Sequence, residues 1–302
     1  MLRSTTRAGR AFTSSLLTIG AVAASACASH REPLSVTLYG EAHVGRAPVS
    51  AFTNANGSPR FTRASDRDAF YTRIVPILER DAVNPRIQVD PNFVAALFIK
   101  ESGLDSLAVS PVAALGIAQL TPRADADLRA MTTSPSFAWM ATEVNGWPRD
   151  PAIHVDTTAP QISADSVRAR LARGAVTSRT EYLFDPALST RAAEYWIRLL
   201  QTKWTTDSWP GGYGSFANQK LAAGRPITSD QLFDLVAVSY NQGYVWTHDA
   251  VDRLGVDWVR RLPELGPAGV EASDYLARVR AYTVALQRGD YQQQYRTQRR
   301  RG

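Results

Sequence analysis

The chain carries one cysteine and four histidines in 302 residues. A lone thiol cannot build a disulfide framework. His30, His43, His154 and His248 are scattered without the short spacing of ligand pairs, so no metal site is expected. There is no glycine loop leading into Lys-Ser or Lys-Thr and no G-x-S-x-G elbow, which removes phosphate-cradling and that form of serine nucleophile. No cofactor is expected. Strand-type alternation of any length is missing after residue 65, which points to a mainly α fold.

Charge of one sign is also nearly missing once the ends are set aside. The formal charge is +6, from 34 basic and 28 acidic residues. Arg3, Arg7 and Arg10 open the chain, and Arg296, Arg299, Arg300 and Arg301 close it. Without these seven the body holds 27 basic residues against 28 acidic. A near-neutral body speaks against a nucleic-acid face, and no nucleic-acid partner is expected. The basic tail, 291–302, reads as a solvated end.

The first 26 residues read as an export signal: a positive start, then an apolar stretch over 16–26 that ends in Ala24-Ser25-Ala26 and is too short to span a bilayer. Cys27 follows at once. As a lipobox, this site gives a lipid-modified Cys27 at the mature N-terminus. As an ordinary signal-peptidase site, it is cut at the same bond without lipid. The lone thiol at the cut favours the lipoprotein, with a membrane anchor on the periplasmic face of the outer membrane or cell envelope. Residues 27–64 are rich in Ser, Ala, Pro, Asn and Gly and read as a tether; 34–39 has the composition of a short strand.

From residue 65 helical patterning takes over. Phe70, Ile74, Ile77 and Leu78 form a stripe over 66–82. Asp90 is a suitable N-cap and Pro91 a suitable first residue for a helix over 91–102. Val94, Leu97, Phe98 and Glu101 recur at helical spacing, so the carboxylate shares the face that must be buried. Burial disfavours the charged form of a carboxyl and keeps its proton toward neutral pH, which is what a general acid requires. The competing account of Glu101 is an exposed residue in a last helical turn. Further helices are expected over 161–173, 186–203, 230–242 (capped by Ser229), 246–261 and 273–288. Two segments, about 132–179 and 205–229, interrupt them as insertions, and the second, with its SWPGGYGSF run, reads as a loop.

Glu101-Ser102, Leu104, Ala108, Ser110, Ala113-Ala114, Gly116, Gln119 and Pro122 together resemble the first signature of the family 1 (Slt-type) lytic transglycosylases, roughly E-S-x-F-x-x-x-A-x-S-x-x-G-A-x-G-L-M-Q-x-x-P. The 237–243 segment AVSYNQG is similar to that family's A-x-A-Y-N-A-G. The 271–276 segment EASDYL is similar to its E-T-x-x-Y-V, and Asp185-Pro186 to the opening of a family helix. Ala113 stands where the family has Gly, Ile117-Ala118 where it has Leu-Met, and Leu104 where it has an aromatic. Ala113 bears on a positive backbone angle, and Ala118 on the shape of the cleft.

The resemblance implies a lysozyme-like helical domain over 65–290 acting on peptidoglycan glycan strands. It implies that Glu101 both protonates the MurNAc–GlcNAc bond oxygen and then acts as base toward the C6 hydroxyl, leaving a 1,6-anhydro end. Ser110 and Gln119 would meet the glycan, against a loop-capping account of each. Tyr240 and Asn241 would do the same, against packing of a core tyrosine. Glu271 and Tyr275 lie one turn apart, Tyr275 approaching Glu101, against a plain i, i+4 pair. Asp105 reads as a structural carboxylate. A hydrolytic muramidase and a non-catalytic peptidoglycan-binding scaffold are the alternatives.

Overall fold

Asp90 does what its position suggests. In the computed structural model, which describes residues 64–154, 162–208 and 211–289, its carboxylate accepts from the Asn92 N–H at 2.8 Å and starts a helix at Pro91. The chain reaches this point through α1 (Ala64–Ala69), a π-helical turn (Phe70–Ile74) and α2 (Val75–Ala82), whose Phe70, Ile74 and Leu78 are buried. The helix itself, α3 (Pro91–Ser102), is more deeply placed than a one-sided stripe requires. Every residue from Phe93 to Ile99 is buried, so α3 is the central rod of the domain.

After α3 come α4 (Pro122–Met131), α5 (Ala141–Gly146) and α6 (Ala164–Ala172). Then α7 (Pro186–Thr205), capped by Asp185, buries Ala192, Tyr195, Trp196 and Leu199. α8 (Gly214–Ala222) follows, then α9 (Ser229–Gln242), α10 (Tyr244–Leu254), α11 (Trp258–Arg261) and α12 (Pro267–Gly289). α12 lies along α3 and also packs on α9, which in turn packs on α7. An Arg280–Asp234 ion pair ties α12 to α9 inside this bundle, Arg280 Nε donating at 2.9 Å. The domain is mainly helical; among the described residues there is no strand, only isolated bridges joining Val109, Leu115 and Leu120.

Four expectations are corrected. The 205–229 segment is not all loop: Ala217 and Leu221 bury one face of α8, enough apolar contact to fold a helix between its glycines. The cap of α9 is Thr228, which exchanges hydrogen bonds with Gln231 in a capping box, and not Ser229. The 246–261 helix breaks at Gly255, whose φ of 69° ends α10. Finally, α12 begins at Pro267, six residues earlier than expected, because proline fits the first helical turn even beside Gly266 and Gly269. The export signal, Cys27, the tether with its 34–39 segment and the 291–302 tail lie outside the described residues.

Candidate active site

Glu101 sits in the last turn of α3, and the backbone then leaves the helix abruptly. Gly103 takes φ 61° and its N–H caps the carbonyls of Phe98 and Ile99. Leu104, Ala113 and Gln119 all adopt positive φ as well, at 67°, 57° and 49°. Three non-glycine residues in the left-handed region within sixteen positions mark a loop whose shape its surroundings impose. Ala113 keeps the positive angle its glycine counterpart would take.

Those surroundings are specific. The Ser102 hydroxyl donates to the Ile117 carbonyl at 2.8 Å, stitching the end of α3 to the far side of the loop. Gly116 (φ 69°) passes so close to Leu183 that a Cβ there would fall 1.7 Å from the Leu183 carbonyl oxygen. Ser110 Oγ accepts from the Ala114 N–H at 2.9 Å and closes the tip. Gln119 Nε2 donates to Gly116 O at 2.8 Å and Ala108 O at 3.2 Å. Each predicted loop residue therefore holds the loop. Both amide hydrogens of Gln119 are engaged there, so its Oε1 keeps its accepting capacity, while the Ser110 O–H remains a donor. Asp105 accepts from the Leu107 N–H at 2.7 Å within its own turn, the structural part expected of it. Ala118 is buried. Its carbonyl accepts the Tyr240 hydroxyl at 2.7 Å.

The helices supply the rest. From α12, the buried Tyr275 donates its O–H to Glu101 Oε1 at 2.5 Å. Glu271, one turn earlier on α12, is exposed, and its negative charge is felt at Glu101. From α9, Tyr240 lies close enough for the Glu101 charge to act on its phenol. Asn241, next along, is half-buried and accepts from Gln242 Nε2 at 2.7 Å. So Glu101, Tyr240, Glu271 and Tyr275 come together, and Ser110 and Gln119 shape the loop beside them.

Electrostatics follow from this geometry. Burial pushes the Glu101 carboxyl up to about 7; the Tyr275 hydrogen bond and the Lys100 charge oppose the rise, and Glu271 adds to it. Desolvation wins because the phenol is neutral and, among the described residues, no Lys or Arg forms an ion pair with Glu101. Burial and the neighbouring Glu101 charge push the Tyr275 hydroxyl well above the usual tyrosine range, so it stays a donor. At neutral pH the site thus holds a carboxyl poised between acid and base, gripped on one oxygen.

Two features escaped sequence reasoning. Ser102 stands beside the acid in the motif, yet its bond across fifteen residues has no local signal. His154, with no ligand spacing around it, lies between Asp125 Oδ2 (3.2 Å) and Glu181 Oε2 (2.8 Å), its side chain 2% exposed. Among the described residues no group of three or more potential ligands could hold a metal ion, and no helix is long and apolar enough to cross a membrane.

Comparison with family models matches residues 82–141 to the transglycosylase SLT domain. The matched segment runs from the end of α2 through α3, the 103–121 loop and α4, and includes Glu101, Ser110 and Gln119. It shows the Slt-type, lysozyme-like resemblance read from this segment. Comparisons with curated proteins and with solved structures gave no match.

Proposed function

We propose that this protein is a lytic transglycosylase that cleaves the β-1,4 MurNAc–GlcNAc bond of peptidoglycan with one carboxyl, Glu101, as acid and then base. Support comes foremost from the Glu101 carboxyl, raised to about 7 and held at 2.5 Å by Tyr275 at the end of the matched helix. In the first step the proton on Glu101 passes to the glycosidic oxygen, the C1–O4 bond breaks, and GlcNAc leaves as an alcohol. The N-acetyl oxygen of the same MurNAc bonds to C1 and relieves the oxocarbenium charge, so a second protein carboxylate is not needed. In the second step the Glu101 carboxylate takes the C6 hydroxyl proton, O6 attacks C1, and the N-acetyl group is released. The 1,6-anhydro ring closes, Glu101 is reprotonated, and no water is consumed.

Tyr275 leaves Oε2 to carry the mobile proton and stabilises the carboxylate between the steps. Tyr240 supports the loop under the acid. Gln119 Oε1, the Ser110 hydroxyl, Asn241 and Glu271 are assigned to glycan contact. Export and lipidation at Cys27 complete the reading, and incorporation of labelled fatty acid by wild type but not Cys27→Ala tests them. The decisive measurement is mass spectrometry of digested sacculi. Anhydro-muropeptides are expected; reducing ends in their place would identify a hydrolase instead.

A further inference from the structure

Lys100 immediately precedes the acid, is half-buried, and places its Nζ 5.0 Å from the centroid of the Tyr275 ring. That ring carries the hydroxyl that donates to Glu101 at 2.5 Å. A lysine in the last turn of α3 would favour the helix end from many side-chain positions. Lying over this particular ring does more. A cation on the face of a phenol is attracted to the ring's electrons, restrains its plane, and draws density from the oxygen, making the O–H a better donor. We propose that Lys100 is a positioning residue that acts through Tyr275, fixing the phenol against Glu101 and strengthening its hydrogen bond to the carboxylate.

The inference rests on the transglycosylase reading, in which Glu101 must be an acid first and a stable carboxylate second. Glu101 faces Tyr275 and Glu271 from α12, Tyr240 from α9 and Lys100 from its own helix. Glu271 and burial favour the protonated form; Lys100 and the Tyr275 bond favour the ionised form. Lys100 and Tyr275 thus oppose burial and Glu271 without cancelling them.

The test is carbon-13 NMR titration of glutamate-labelled full chain, with the Glu101 resonance assigned by its loss in Glu101→Gln. Lys100→Met is expected to raise the Glu101 midpoint by about half a unit, with Lys100→Arg near wild type. In a Tyr275→Phe background the same Lys100→Met change should move it by less than half as much. Turnover should report the same change: the alkaline limb of kcat/KM moves up, and kcat falls with KM unchanged. An unmoved midpoint in Lys100→Met, or an equal shift with and without the Tyr275 hydroxyl, would overturn the proposal. Failure of the enzymatic reading appears elsewhere, as wild type that forms no anhydro ends while the titration shifts persist.

Discussion

Two carboxylates in this domain lose their water and end in opposite states. Glu101 meets a neutral phenol and a cation that sits over a ring, and burial raises its carboxyl to about 7. Asp125, on α4, is fully buried and meets Arg149 at 2.8 Å, Arg129 at 3.1 Å, His154 at 3.2 Å and the Tyr182 hydroxyl at 2.6 Å. Burial pushes Asp125 up too, but the contact with His154, the Tyr182 hydrogen bond and the charges of His154 and Arg129 bring it below the usual range. Desolvation is common to both; partner count and charge decide the outcome. One carboxyl is left reactive and the other is made structural.

The sharpest break in this contrast is Glu101→Gln. Clearing of sacculi should fall about a thousandfold with binding retained; equal clearing, or none from either protein, would favour a scaffold. Stability should move the other way. The folded carboxyl titrates above its unfolded value of 4.5, so the native state holds the extra proton between 4.5 and about 7 and loses stability as pH rises through that window. Thermal unfolding at pH 8 should therefore show Glu101→Gln with the higher Tm, the gap closing at pH 4.

Asp125→Ala attacks the other pole. Leaving Arg129 and His154 without their buried carboxylate should cost about 3–5 kcal/mol in urea unfolding. Where the variant remains folded, the Glu101 midpoint should be unaltered, and a shifted midpoint would mean that the two regions are coupled. Tyr275→Phe removes the side-chain hydrogen bond that restrains Glu101. The carboxyl should titrate higher, carrying the alkaline limb of kcat/KM upward, while the rate falls about tenfold.

The smallest effect belongs to His154. Burial disfavours its charge, but Asp125 and Glu181 outweigh that and raise the imidazole above 6.5. Its contribution is complete below 6.5 and disappears as pH rises through the folded value. Relative to His154→Gln, wild type should be more stable by about 1 kcal/mol at pH 5, with the margin shrinking by pH 9.

Much of the acid helix was legible in advance because its signals are local. Asp90 and Pro91 start it, the spacing from Val94 to Glu101 turns its carboxylate toward the packed face, and the residues to Pro122 carry the family signature. The α8 helix was hidden by glycines that mark turns whether or not a helix lies between them. Ser102, Lys100 and His154 gave no warning because their partners lie on other segments: Ile117 across the loop, Tyr275 on α12, Asp125 and Glu181 on either side of the insertion. The positive φ of Leu104 and Gln119 was equally invisible, since neither residue type favours it.

Local chemistry, then, determined the helical character, the caps of α3 and α7, and the candidacy of Glu101, because propensity, periodicity and capping act within a few residues. Tertiary structure alone decided which carboxyl would be reactive. Protonation depends on what surrounds a group once water has gone, and for Glu101 that neighbourhood is assembled by a tyrosine 174 residues away.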